Sequence, residues 1–171
     1  MNRPIEGNAK KRLFLEDVKA GRVPPLAAEI PYCDAHLLYR SIVRSRGSAD
    51  RSVLFESLKG NDKIAVHSII AFDPYMEFRV KDGEVRTISL PGGRETVSFR
   101  DPLDRLSELL TAYPQKPSPD LPPFQGGAIG MISYDFVRYI EDIPANSLDD
   151  LGTPDAHFLL VDKVIAFDHM Q

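Results

Sequence analysis

The stretch Phe124-Gln-Gly-Gly-Ala-Ile-Gly-Met-Ile-Ser-Tyr-Asp-Phe-Val-Arg-Tyr-Ile-Glu141 decides how the rest of the chain is read. Gly126, Gly127 and Gly130 stand among apolar residues, where a strand ordinarily uses large or β-branched side chains. Glycine inside a strand forfeits packing and adds an entropic cost, so it marks a bulge or a close approach of another backbone. After Tyr134 the pattern changes. Phe136, Val137 and Ile140 recur at i, i+1 and i+4, and Pro144 closes the run. That spacing predicts a short, two-turn helix directly after a tightly packed glycine strand.

A glycine-rich strand leading to a helix is also how phosphate cradles are built. The dinucleotide fingerprint needs Gly-x-Gly-x-x-Gly opening a helix, whereas this chain has Gly-Gly-x-x-Gly with three residues between the last glycine and the helix. No Lys-Ser or Lys-Thr follows, so a P-loop is excluded too. Close packing is therefore the favoured reason for the glycines.

Working outward, residues 114–123 hold five prolines in ten positions and read as a linker or surface excursion. Asp101-Pro102 caps a helix with Leu103, Leu106, Leu109 and Leu110 on one side. Residues 75–81 and 84–90 predict a hairpin around Asp82-Gly83, and Pro91-Gly-Gly93 ends that unit. Residues 52–57 and 63–72 predict two more strands, joined by a polar turn at 58–62. Asp34 is a good N-cap for a helix with Leu37, Leu38, Ile42 and Val43 on its apolar face, ending near Gly47. Residues 26–32 read as a strand weakened by Pro31. A short helix over 13–18 ends at Gly21, and residues 1–12 are polar and expected to be loose. On the other side of the glycine strand, residues 156–161 and 163–167 predict a final pair of strands. Consecutive strands over 52–90, rather than alternating βαβ units, predict an α+β fold with mostly antiparallel sheet and flanking helices. Residues 1–22 form an N-terminal extension and 23–171 one domain.

Composition narrows the class. With 171 residues, 43% of them hydrophobic and 27% charged, the chain is one soluble domain's worth. No run approaches the ~20 apolar residues of a membrane span, and the first residues lack the apolar core of a signal peptide. The lone Cys33 cannot form an internal disulfide, which fits a cytoplasmic location. A net charge of −4 without a basic stripe argues against a nucleic-acid partner; Arg40, Arg44, Arg46 and Arg51 read as a solvated helix face and loop. The run from Val161 to Gln171 stops inside or just after a strand-like segment with no polar tail, so a segment of a longer polypeptide is expected.

Two places set polar groups where a strand should be dry. Glu56-Ser57 ends one apolar strand, where polar residues are normal, and His67-Ser68 interrupts another. A buried hydroxyl or imidazole without a partner costs about 1–3 kcal/mol, so one member of the second pair needs a partner, structural or ligand. Beyond these, no catalytic constellation assembles. His36, His67, His157 and His169 show no zinc spacing with Cys33, no Gly-x-Ser-x-Gly elbow occurs, and Glu141-Asp142 and Asp149-Asp150 read as solvated loop pairs.

The residues do carry a family resemblance. Val53-Leu-Phe-Glu-Ser57 resembles the Leu-Leu-Glu-Ser segment of anthranilate synthase component I. The run from His67-Ser68 to Asp73-Pro74 is similar to the strand that follows it there. Phe124-Gln-Gly-Gly-Ala-Ile-Gly130, with Tyr134-Asp135, Arg138 and Glu141, resembles Phe-x-Gly-Gly-x-x-Gly-Tyr-x-x-Tyr-Asp-x-x-Arg-x-x-Glu. Pro154-Asp155-Ala156 and Phe167-Asp168-His169 are similar to the strands that come next, so the likeness covers about residues 23–169. Two departures stand out: the usual Arg-Tyr before the serine is Val66-His67, and the usual tyrosine after Gly130 is Met131.

The resemblance implies the N-terminal, regulatory domain of a chorismate-using enzyme. Such an enzyme converts chorismate and ammonia to anthranilate and pyruvate, with a glutamine amidotransferase subunit supplying the ammonia. It further implies that this domain packs on a C-terminal chorismate-binding domain, absent from these residues, which holds Mg²⁺ and the catalytic groups. No catalytic residue is therefore assigned here. Feedback L-tryptophan would be bound by Ser57, with Glu56, His67 and Ser68 nearby. The large chain of aminodeoxychorismate synthase, in the folate branch, is the alternative with the same fold. A stand-alone binding or assembly module is the alternative from another class. An exposed apolar face would favour a homodimer.

Overall fold

A computed structural model describes residues 4–46, 51–56, 67–112, 115–144 and 148–169. The expected α+β class is observed: the described residues form two antiparallel sheets with three α-helices and a short 3-10 helix. Helix α1 is Pro4–Lys19, α2 is Ala35–Arg46 and α3 is Pro102–Thr111. The strands are β1 Val53–Phe55, β2 His67–Ala71, β3 Met76–Lys81, β4 Glu84–Ser89, β5 Arg94–Ser98, β6 Gly127–Ile132, β7 Ala156–Val161 and β8 Val164–Asp168. One sheet has the order β1-β2-β8, and the other β5-β4-β3-β7-β6.

Local chemistry accounts for most boundaries. Asp34 Oδ1 accepts from the Leu37 amide at 2.8 Å and opens α2. Asp101 Oδ1 accepts from the amides of Leu103 and Asp104, both at 2.9 Å, while Pro102 fills the first turn of α3. Asp82 and Gly83 take φ of 49° and 81°, the two positive values that a type I′ hairpin turn between β3 and β4 requires.

Several expectations need correction. Residues 4–12 belong to α1 rather than to a loose tail, with Pro4 at the first helical position, where its missing amide costs nothing. Residues 26–32 form no strand. Pro24, Pro25 and Pro31 withhold donors, and the segment finds no sheet edge. The turn at Pro91-Gly-Gly93 does not end the hairpin unit but leads into β5, whose charged sequence hid it. The two-turn helix after the glycine strand is a 3-10 helix, Tyr134–Tyr139. Strands β7 and β8 are not each other's partners: β7 lies between β3 and β6, whereas β8 pairs with β2 in the other sheet.

Burial follows from that split. Ile70 and Phe167 on one face of the three-stranded sheet pack with Ala35, Leu38, Tyr39 and Ile42 of and beside α2. Ile69, Ala71, Val53 and Val164 on its other face meet Ile129, Leu159 and Val161 of β6 and β7. The opposite face of the five-stranded sheet, with Phe78, Val80, Val85, Ala156 and Leu160, is covered by Leu106 and Leu109 of α3 and by Phe136 and Tyr139. The result is a stack of helix, sheet, sheet and helix, with β7 buried on both faces. At the periphery, Asp17 of α1 accepts from Arg22 at 2.7 Å and from Lys116 at 2.9 Å. Hydrogen bonds from Lys116 first and Arg22 next hold its carboxyl below the usual range.

The glycine strand is a close approach, as expected. A Cβ added to Gly130 would lie 2.0 Å from His157 O and 2.8 Å from Phe158 Cα of β7. Gly126 and Gly127 have φ of 124° and 116°, a region that side chains rarely enter.

A hydrogen-bonded latch holds the β3–β4 turn to the loop before β7. Asp155 Oδ2 accepts from Tyr139 Oη at 2.7 Å and from the Asp82 amide at 3.0 Å, while Tyr139 Oη accepts from the Gly83 amide at 2.8 Å. Lys81 donates to Thr153 O at 2.9 Å and to Asp149, and lies 3.7 Å from Asp155 Oδ1. Burial first, and the hydrogen bond to Asp155 next, push the Tyr139 phenol from 10.0 up to about 12.

Two predictions follow from these contacts. Gly130→Ala must force β6 away from β7, and we expect a loss of about 3 kcal/mol or more in urea unfolding, the upper end of overpacking costs. A variant within 1 kcal/mol of wild type would show that the approach relaxes cheaply. Tyr139→Phe should cost about 1–3 kcal/mol at pH 7 by unpairing Asp155 and Gly83. A folded-state phenol pKa above its unfolded value stabilises the fold below pH 10 and ceases to do so as pH rises through 12. The stability gap between wild type and Tyr139→Phe should therefore close over that interval.

Candidate functional site

Glu56, His67 and Ser68, three of the residues expected at the inhibitor site, lie around one end of the three-stranded sheet. Antiparallel pairing sets Phe55 opposite Ile69, and Glu56 is the exposed residue one step beyond. Ser57 lies outside the described residues, as do 58–66. His67 is the first residue of β2, half-buried and paired with Asp168 of β8. Ser68, next to it, is fully buried and paired with Phe167.

Strand alternation separates these two neighbours. Ser68 shares its side of the sheet with Ile70 and Phe167, which pack toward α2. His67 shares the opposite side with Ile69 and Ala71, which face β6 and β7. The family resemblance implies that both lie near one ligand; their side chains point to different layers. The buried hydroxyl of Ser68 has a structural partner, with its Oγ 2.8 Å from His169 Nε2 just past the end of β8. The pairing is not legible in the sequence because His169 is 101 residues away from Ser68. The only available signal was a polar residue directly after an apolar strand.

A separate concavity lies beside the glycine strand. A cavity of about 350 Å³ is lined by Tyr75, Leu110, Gln115 and Phe124 with the backbone of Gly126 and Gly127. None of Glu56, His67 and Ser68 lines it. Positive φ at both glycines turns the chain there and shapes the wall; a Cβ on Gly126 would lie 3.0 Å from Val161 O, whereas one on Gly127 would meet open space.

The other motif residues lie on and beside the 3-10 helix. Asp135 and Arg138 form an ion pair at 2.6 Å along the 3-10 helix, and Tyr134 is exposed. Asp155 anchors the Tyr139 latch, a pairing that sequence reading missed because neither residue has a local partner. Ser133, between β6 and the 3-10 helix, has a buried side-chain oxygen with no hydrogen-bond partner among the described residues. Among those residues, no three of His, Cys, Asp and Glu converge as a metal site would require, and no helix is long and apolar enough to cross a membrane. Glu77 and His157, 2.9 Å apart, pair across β3 and β7 of the five-stranded sheet.

Comparison with known proteins carries the same likeness across most of the chain. No protein-family model matches the sequence. Aminodeoxychorismate synthase component 1 of Bacillus subtilis (strain 168) is 35% identical over 149 residues, covering 86% of this chain and 30% of its own length. Anthranilate synthase component 1 of Thermus thermophilus is 42% identical over 120 residues, covering 70% of this chain and 24% of its own length. The crystal structure of anthranilate synthase component I from Streptococcus pneumoniae superposes with a TM-score of 0.52 at 31% identity, over 85% of this chain and 30% of that one. The chain thus spans less than a third of the length of these relatives. Over most of its residues, and in its α+β antiparallel fold, it belongs with the component 1 chains of anthranilate synthase and aminodeoxychorismate synthase, as the homologue of one part of them.

Proposed function

We propose that these residues are the N-terminal, regulatory domain of an anthranilate synthase component I. The parent would make anthranilate and pyruvate from chorismate and ammonia in the cytoplasm. Its chorismate-binding domain, with the Mg²⁺ and the acid–base groups, would lie outside these 171 residues, and a glutamine amidotransferase subunit would deliver ammonia. The observation that carries the reading is the glycine strand together with homology to component 1 chains over as much as 86% of this chain. On this reading the 171 residues alone have no synthase activity.

L-tryptophan is the proposed regulatory ligand, held where β1 leaves the sheet and β2 enters. Ser57 would bond the amino acid, with Glu56, His67 and Ser68 around it. Exposed Glu56 offers a carboxylate for an ammonium group, and half-buried His67 is the first residue of β2. Ser68, turned toward α2 and bonded to His169, would support the strand behind the ligand rather than touch it. Tryptophan would inhibit by binding one arrangement of the two domains more tightly than the other.

The 35% identity to an aminodeoxychorismate synthase component over 149 residues favours a second reading, the same domain in the p-aminobenzoate branch. Product analysis of the longer polypeptide, given chorismate and ammonia with Mg²⁺, separates the two: anthranilate supports the first and aminodeoxychorismate the second.

Calorimetric titration of L-tryptophan into that polypeptide tests the regulatory site. We expect saturable binding that weakens at least tenfold in Ser57→Ala, about 1.4 kcal/mol for one hydrogen bond to a charged group. An anthranilate-forming enzyme that does not bind tryptophan would overturn the site and leave the activity standing.

A further inference from the structure

Helix α2 is basic in an acidic chain. The chain has a net charge of −4, whereas Ala-His-Leu-Leu-Tyr-Arg-Ser-Ile-Val-Arg-Ser-Arg of α2 holds three arginines and no acid. Its inner side, with Ala35, Leu38, Tyr39 and Ile42, packs on Ile70 and Phe167. Arg40 and Arg44 are exposed and stand one helical turn apart. Sequence alone reads them as part of a solvated face, together with Arg46. The structure separates the three. Arg46 pairs with Asp73 at 2.6 Å, and Asp34, the other carboxylate bonded to α2, accepts from the Leu37 amide. Ser41 and Ser45 turn their hydroxyls back onto Leu37 O and Ile42 O, both at 2.9 Å. Among the described residues no carboxylate pairs with Arg40 or Arg44.

These two arginines line a concavity of about 210 Å³ together with Tyr39 and Val43. Tyr39 is fixed from behind. Its hydroxyl donates to Ser52 O at 3.3 Å and accepts from Ser52 Oγ at 3.4 Å, while its ring packs with the residues under α2. The concavity thus combines a held aromatic ring, a β-branched side chain and two guanidinium groups. Guanidinium forks engage carboxylate and phosphate oxygens in pairs, which a lysine ammonium cannot do. The volume lies below the ~300–1,000 Å³ of pockets for drug-sized ligands, so it suits a compact solute.

We propose that this concavity on α2 binds a small dianion, a phosphate monoester or a dicarboxylate. Arg40 and Arg44 hold its oxygens, and Tyr39 and Val43 meet its carbon body. Two positive charges without a counterion in the described fold favour a doubly charged ligand over a monoanion. A chain of net charge −4 does not draw anions from a distance, so the affinity comes from these local contacts. The site is separate from the one proposed for L-tryptophan, since none of Glu56, His67 and Ser68 lines it. It also stands whichever reaction the parent performs.

Calorimetric titration of the intact polypeptide with phenyl phosphate and with malonate tests the site, acetate serving as the monoanion. At least one dianion should bind saturably, and more tightly than acetate by about tenfold. Binding of phenyl phosphate alone assigns a phosphate monoester, and binding of malonate alone a dicarboxylate. Arg40→Gln and Arg44→Gln should each weaken that binding about tenfold. Both side chains are exposed, so the Tm of each variant should match wild type. Arg44→Lys keeps the charge and loses the fork, and a loss of about fivefold is expected. No saturable binding of either dianion below about 20 mM overturns the proposal. Binding that survives both glutamine substitutions lies elsewhere on the protein and overturns it too. Acetate binding as tightly as the dianions, or full affinity in Arg44→Lys, shows a diffuse basic surface in place of a site.

Discussion

Strand β7 has apolar neighbours on every side, and that constraint organises the rest. Ala156 and Leu160 face α3 and the 3-10 helix, while Leu159 and Val161 face the three-stranded sheet. Its two ladders run to β3 on one side and β6 on the other. A strand confined in this way cannot shift register by one residue without turning Ala156, Leu160 and their set onto the wrong layer. The two sheets are thereby fixed against one another, and the sequence of the strand, Ala-His-Phe-Leu-Leu-Val, is correspondingly apolar apart from His157.

The glycines of β6 are one consequence of that confinement. With β7 held from three sides, β6 must close against it from the fourth, and Gly130 allows a separation that a single methyl group would forbid. The Asp155 latch is another. The residue just before β7 receives the Tyr139 hydroxyl and the Asp82 amide, so the β3–β4 turn, the 3-10 helix and the entry to β7 share one set of hydrogen bonds. Residues of the glycine motif thus act on the same strand from two directions, one through steric closeness and the other through polar contacts.

What could be read from the sequence divides along the same physical line. Features set by neighbouring residues were legible: the Asp34 and Asp101 caps, the Asp82-Gly83 turn, and the glycines as a mark of close approach. Features set by partners far along the chain were not. β5 was missed because Arg94-Glu-Thr-Val-Ser98 sits on an edge with little burial and so carries no apolar alternation. The separation of β7 from β8 was missed because two short apolar runs joined by Asp162-Lys163 look like a hairpin, and only the surrounding layers decide otherwise. At the candidate site, sequence reading identified His67-Ser68 as polar groups needing a reason. It found neither the His169 partner of Ser68 nor the opposed directions of the two side chains.

The late position of β7 and β8 in the chain bears on how the domain is made. β2 waits for a partner about 100 residues downstream, as the 101-residue span from Ser68 to His169 records, and Glu77 of β3 meets His157 across 80 residues. Pairings of such long sequence separation are slow to form, because chain must be ordered before the contacts repay it. Until residues 156–161 have been synthesised, β3, β4, β6 and α3 exist without the strand that joins them. During that interval the apolar faces of β3 and β6 have no shared partner, the condition in which nascent chains depend on chaperones. Arrival of β7 and β8, one directly after the other, then adds a strand to each sheet, so the two sheets are expected to assemble together.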